Sequence, residues 1–296
     1  MAGSGGNRAN LRKASAAPVV MPRASGSGGL GGMMSEPRGM LIAAAGVFLA
    51  VGGVAFAASA MLFPHKAAVA AQSGPSPSEI ALGKNPELAA LYATVKDSFP
   101  QDYALLMQQT DAQLANNDIP GATWTALRVG AMVTEREAPG VIEHADSDKL
   151  SDFMLRNAEL LHIMLKKSPA VCAKIAMGSL DKEGLQPLLA DPTVLVAATR
   201  ATNATLVAVY GGKTRPKNYR APANDELEML GRAVMQQGLP KADADVFHAR
   251  NFGALSAEKQ CGLILKSFRA VLGTPEPARS RFISQAAATA TAKAKK

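Results

Sequence analysis

SDKLSDFMLRNAELLHIMLKK, residues 147–167, repeats its apolar positions with a helical period. Leu150, Phe153, Met154, Leu161, Met164 and Leu165 fall on one face, and Asp152 and Arg156 form an i,i+4 pair on the other. Ser147 stands at the cap position, Asp148 and Asp152 lie where the helix dipole favours acids, and Lys166-Lys167 close the end that favours cations. The stretch therefore predicts an amphipathic helix with one face committed to a core.

The same grammar extends in both directions. Ser168-Pro169 opens a shorter helix to about Ser179. Upstream, Pro120 to about Glu137 places Trp124, Leu127 and Ala131 together and stops before Pro139-Gly140. A helix from Pro100 to Asn116-Asn117 carries Tyr103, Leu106, Met107, Thr110 and Leu114, and Asn85-Pro86 starts another striped by Leu88, Leu91, Tyr92 and Val95. Downstream, Asp191-Pro192 begins a run to about Tyr210. Its two halves, VLVAAT and TLVAVY, also fit a hairpin turning around Arg200 to Asn203. Helix is preferred, because a cap and a first-turn Pro precede the run and no Gly breaks it. Gly211 to Ala221 reads as a basic loop, Asn224 to Gln237 as a helix carrying Leu227, Leu230 and Val234, and Ala242 to Arg250 as a short segment. Ser256 caps a last helix to Leu272. The expected body is all-α, an irregular bundle of about six to eight helices with no tetratricopeptide-like repeat.

Met40 to Phe63 reads MLIAAAGVFLAVGGVAFAASAMLF, 24 positions without a charge. At about 1.5 Å per residue this reaches about 36 Å, enough to cross a hydrocarbon core of about 30 Å. Five basic residues precede it and only Lys66 and Lys84 follow closely, so the positive-inside bias sets the N-terminus in the cytoplasm. Small residues at Ala45, Gly46, Gly53 and Ala57 would permit close pairing of such helices. A cleavable leader is the competing reading: Met33 and Met34 are alternative starts, and small-x-small sites end at Ala70 and Ala71. The uncleaved anchor is preferred, because the apolar run exceeds an ordinary leader. A mitochondrial transit peptide is a further alternative for the acid-free residues 1–35, whose Gly density makes a poor amphipathic helix.

The expected organisation is a disordered basic Gly/Ser-rich cytoplasmic tail (1–38), a transmembrane helix (39–64), a flexible Pro/Ser/Gly linker (65–84), an extra-cytoplasmic helical domain (85–273) and a disordered basic tail (274–296). Charge follows the same division. The chain has 296 residues, 32 basic and 24 acidic, a net of +8. Residues 1–38 carry five basic residues and one acid, residues 279–296 five basic and none, and residues 72–278 carry 21 basic and 23 acidic. The excess sits at the ends, where contact with anionic lipid or envelope polymer is expected. The middle lacks material for a basic nucleic-acid groove, so no nucleic-acid partner is expected.

Cys172 lies with Ile175 and Ala176 on an apolar side, and Cys261 begins the stripe Ile264, Leu265, Phe268, Leu272. Two inward thiols in an oxidising compartment are expected to pair as a disulfide, the alternative being two buried reduced thiols.

Other chemistry is weakly signalled. Of His65, His144, His162 and His248, none forms a metal-binding pair with a recognised spacing. Glu143, His144, Asp146 and Asp148 match a metal set by composition only, and acids ahead of a helix compensate its dipole. Ser256-Ala-Glu-Lys259 has the S-x-x-K spacing of an acylating serine without its partner motifs, and a helix cap explains it. Gly212-Lys213-Thr214 ends like a phosphate loop, but Val207 stands where the first Gly would be. The sequon Asn203-Ala-Thr205 lies on an expected helix. No catalytic residue, metal or cofactor is expected. The function expected is a non-enzymatic scaffold or adaptor with protein partners in a bacterial envelope, anchored in the inner membrane with its domain in the periplasm. The alternatives are an envelope hydrolase of cell-wall or glycan material and a mitochondrial inner-membrane assembly protein.

Overall fold

The computed structural model describes residues 77–177, 182–238 and 254–294. The apolar stretch 40–63, the tail before it, most of the expected linker and the segment 242–250 lie outside the described residues. Helices are α1 (Pro77–Gly83), α2 (Pro86–Ser98), α3 (Pro100–Ala115), α4 (Ile119–Glu137), α5 (Ser147–Lys167), α6 (Pro169–Ala176), the single turn α7 (Lys182–Leu185), α8 (Pro192–Thr214), α9 (Asn224–Gln236), α10 (Ala257–Leu272) and α11 (Ala278–Ala294). Short 3₁₀ turns cover Ile142–His144 and Gln186–Ala190, and no strand occurs among the described residues.

The hairpin alternative for 194–210 is replaced by one continuous helix, α8, whose Asp191 cap accepts a hydrogen bond from Thr193 N–H at 2.8 Å. Helices α2, α4 and α5 pack around α8. Val194, Leu206, Ala208 and Val209 on it are fully buried. A helix apolar on nearly all sides belongs in such a centre. Its length and composition would also suit a membrane span, but 61% of its apolar window is buried inside the body. Thr199 and Thr205 return their hydroxyls to the carbonyls of Leu195 and Ala201, each at 2.8 Å, so the core helix carries polar side chains without orphaned donors there.

Small residues set how closely α8 is approached. The helix runs on past Tyr210 through Gly211 and Gly212, so the basic loop begins one turn later than the sequence suggested. A Cβ on Gly212 would lie 2.1 Å from the Val141 carbonyl oxygen, where backbone cannot yield cheaply. Gly212→Ala is expected to destabilise by about 1–3 kcal/mol or more. Gly231→Ala, in α9 with nothing within 4 Å of the added carbon, is expected to stabilise by about 0.4–1 kcal/mol. Urea unfolding midpoints of the two variants check both signs.

Two caps differ from expectation. Asn85 makes no side-chain cap to α2; its Nδ2 donates to the Ala81 carbonyl at 2.8 Å and so closes α1. Ser147 is the first helical residue of α5, with Asp146 at the cap position.

Two boundaries of the expected organisation are corrected. Residues 77–83, read as part of a flexible linker, form α1, which packs on α3. Ser78 and Ala81 are buried, and the Ser78 hydroxyl donates to the Asp111 carboxylate. Pro at the first helical position is compatible with a helix start, and docking outweighs the Pro/Ser composition. Residues 278–294, read as disordered tail, form α11 against the 142–144 turn, α5 and α10. Phe282, Ile283, Ala286 and Ala287 are 1% exposed or less. The Ala-rich composition that suggested low complexity is also the composition of strongest helix propensity.

Candidate functional site

Helices α5, α6 and α10 meet at the two cysteines. Ser168 caps α6 by accepting from Val171 N–H at 3.4 Å, and Ser256 caps α10 by accepting from Lys259 N–H at 3.4 Å. The two starts turn the apolar sides of α6 and α10 inward. Cys172 and Cys261 are both fully buried and lie at disulfide distance, with Cα atoms 5.7 Å apart and a sequence separation of 89. The Leu161 carbonyl of α5 lies 3.2 Å from the Cys172 Sγ and 3.9 Å from the Cys261 Sγ. A covalent link here ties α6 to α10 across α5.

Two of the residues considered for metal binding, His144 and Asp146, seat a loop. The His144 Nδ1 lies 2.8 Å from the Lys217 carbonyl, and Lys217 N–H donates to the His144 carbonyl at 2.7 Å. Tyr219 donates its hydroxyl to the Ala145 carbonyl at 2.9 Å. Burial, followed by the nearby Asp146 charge, pushes that phenol up to about 12. Asp146 pairs with Lys149 at 3.0 Å and Lys217 at 3.7 Å. Glu143 is one residue before this contact and leaves Oε2 buried without a hydrogen-bond partner. Among the described residues no three His, Cys, Asp or Glu side chains gather as a metal set.

The basic loop is largely neutralised at its edges. Lys213, of the Gly212-Lys213-Thr214 match, donates to Glu137 at 2.7 Å, and Thr214 donates to the Tyr210 carbonyl at 2.8 Å. Arg220 lies 4.0 Å from Glu226, which also accepts from Arg281 at 2.5 Å. Sequence reading missed the chain Asp102–Arg136–Glu137–Lys213. Arg136 grips the nearly buried Asp102 with two bonds of 3.0 and 2.7 Å and holds Glu137 at 2.8 Å. Lys213 first, then Arg136, holds the Glu137 carboxyl below its usual range. Asp102 and Arg136 are 34 positions apart, and no local spacing announces their pairing. Asn203, of the sequon, lies inside α8 with its Oδ1 buried. His162 accepts from Arg269 across α5 and α10, and His65 and His248 lie outside the described residues.

Asp191 shows what such pairing does to an acid. The Lys167 ammonium at 2.6 Å, followed by the Thr193 N–H, holds its carboxyl down at about 2. A folded-state pKa below the unfolded one means stabilisation present above the ordinary carboxylate range and lost as pH falls through about 2. A carboxyl NMR titration is expected to give an Asp191 midpoint near that value, moving up toward the usual range in Lys167→Gln.

No protein-family model, curated protein or solved structure matches this chain. The described geometry joins helices through a buried sulfur pair and places charge at their surfaces. It uses Ser256 as a cap on the Lys259 N–H, and His144 and Asp146 as a seat for the loop after Thr214.

Proposed function

We propose that this chain is a single-pass, N-in protein of a bacterial inner membrane whose helical body stands in the periplasm as a non-enzymatic scaffold or adaptor in an envelope assembly. The observation that carries the reading is the buried Cys172–Cys261 pair at disulfide distance, since such bonds persist in oxidising compartments and are rare in the cytosol. The uncharged run 40–63, with its basic residues on the N-terminal side, supports the anchor and its direction. A central helix enclosed by its neighbours and edges held by ion pairs suit a body that presents a fixed surface to partners.

Protease added to spheroplasts of cells making the full chain is expected to digest the body without lysis. Both thiols are expected to resist alkylation in denaturant until a reductant is added. In vivo cross-linking is then expected to recover envelope proteins. Digestion only after cytoplasmic lysis, or alkylation of both thiols without reductant, overturns the reading.

A further inference from the structure

Many cations of the body have a carboxylate close by. Arg136, Lys149, Arg156, Lys167, Arg200, Lys213 and Arg281 all lie 3.0 Å or closer to one. One face gathers three cations that have no carboxylate partner among the described residues. Arg269 on α10 donates from Nη2 to the His162 Nδ1 on α5 at 3.0 Å, a contact that joins the two helices without neutralising the guanidinium. Lys166 follows His162 by four residues and Lys266 precedes Arg269 by three, so helical geometry sets both beside that contact. Lys266 donates to the Gly238 carbonyl at 2.8 Å, an uncharged partner. No ion pair of Lys166, Lys266 or Arg269 occurs among the described residues, and Lys166 and Arg269 are exposed. The nearest acid on the same face of α5, Glu159, is held by Arg156 at 3.0 Å. Burial and the charges of Lys166 and Arg269 hold the His162 imidazole below its usual range, which keeps it a neutral acceptor for Arg269.

We propose that the face made by Lys166, Lys266 and Arg269 docks on a bilayer surface bearing anionic phospholipid headgroups. The occupant follows from charge and from chain length, and the inference rests on the membrane-anchored reading above. Thirteen residues separate Phe63 from Pro77, where α1 already belongs to the body. At about 3.3–3.6 Å each they span at most about 45 Å, so the body stays within reach of the surface that anchors it. Three cations on one side, without an ion pair among the described residues, give it a preferred face toward phosphate.

The test uses the full chain reconstituted into vesicles of phosphatidylcholine alone and of a three-to-one mixture with phosphatidylglycerol. Lysine acetylation is read by mass spectrometry. Acetylation of Lys166 and Lys266 is expected to fall about five-fold on the anionic vesicles and to recover in high salt, an effect of the size that one basic residue contributes at such a surface. Lys217, at the opposite end of α5, serves as the reference and is expected not to change. Arg269→Gln is expected to weaken the protection of Lys166. Equal acetylation of Lys166 on the two vesicles overturns the docking face. Carbonate-resistant incorporation reports separately on the anchor, and its failure in both vesicles overturns the anchored reading alone. Where incorporation fails in both, flotation with anionic vesicles decides the face: its weakening in K166Q/K266Q/R269Q, with thermal unfolding unchanged, supports the proposal, and flotation equal to the parent's overturns it.

Discussion

Ending the chain after Gly273 is expected to abolish its cooperative unfolding transition, and Phe282→Ala alone to lower stability by about 3–5 kcal/mol. Phe282 and Ile283 are 1% and 0% exposed in α11, and Ala286 and Ala287 continue the same narrow face one turn on. That face closes against the 142–144 turn, which itself packs on the central helix α8. Arg281 adds a mostly enclosed pair with Glu226 of α9. A domain's whole stability is about 5–15 kcal/mol, so one aromatic anchor of this kind is a large share of it. Urea unfolding followed by circular dichroism checks the claim. A disordered appendage would leave the midpoint within about 0.5 kcal/mol of the parent.

Replacing Cys172 and Cys261 together by Ala is expected to cost about 4–5 kcal/mol relative to the oxidised protein, the loop-closure contribution of a link spanning 89 positions. Such a bond would also fix α6, a helix of only eight residues that alone has too few hydrogen bonds to persist. Reductant is expected to lower the parent's urea midpoint toward that of the double variant and to leave the variant unchanged. A parent indifferent to reductant would mean two thiols buried in their reduced form.

Helix positions were legible where local chemistry was explicit. Pro at the first turn of α2, α3, α6 and α8, and the Ser168, Asp191 and Ser256 caps, mark starts within a residue or so of those observed. The inward orientation of both cysteines was legible from the stripes on which they lie, whereas their separation was not. Composition misled at the edges. Pro77 and Ser78 look like tether, and ARSRFISQAAATATAKA looks like solvent-exposed low complexity. Each becomes helix because a few small or apolar side chains find a partner surface elsewhere in the chain. Neither surface is visible locally: Ser78 meets Asp111, 33 positions on, and Arg281 meets Glu226, 55 positions back.

The sequence by itself determined that the described body is helical, where most helices start, and which sides turn inward. These follow from period, capping and backbone restriction, all of which act within about four residues. Only the tertiary structure decided that α8 is the centre, that α1 and α11 belong to the body, that the loop after Thr214 is tied down by His144 and Asp146, and that the two cysteines meet. Those outcomes depend on surfaces far apart in sequence whose fit is set by shape, such as the missing Cβ at Gly212 against the Val141 carbonyl. Periodicity shows which face of a helix is apolar; packing selects the face it meets.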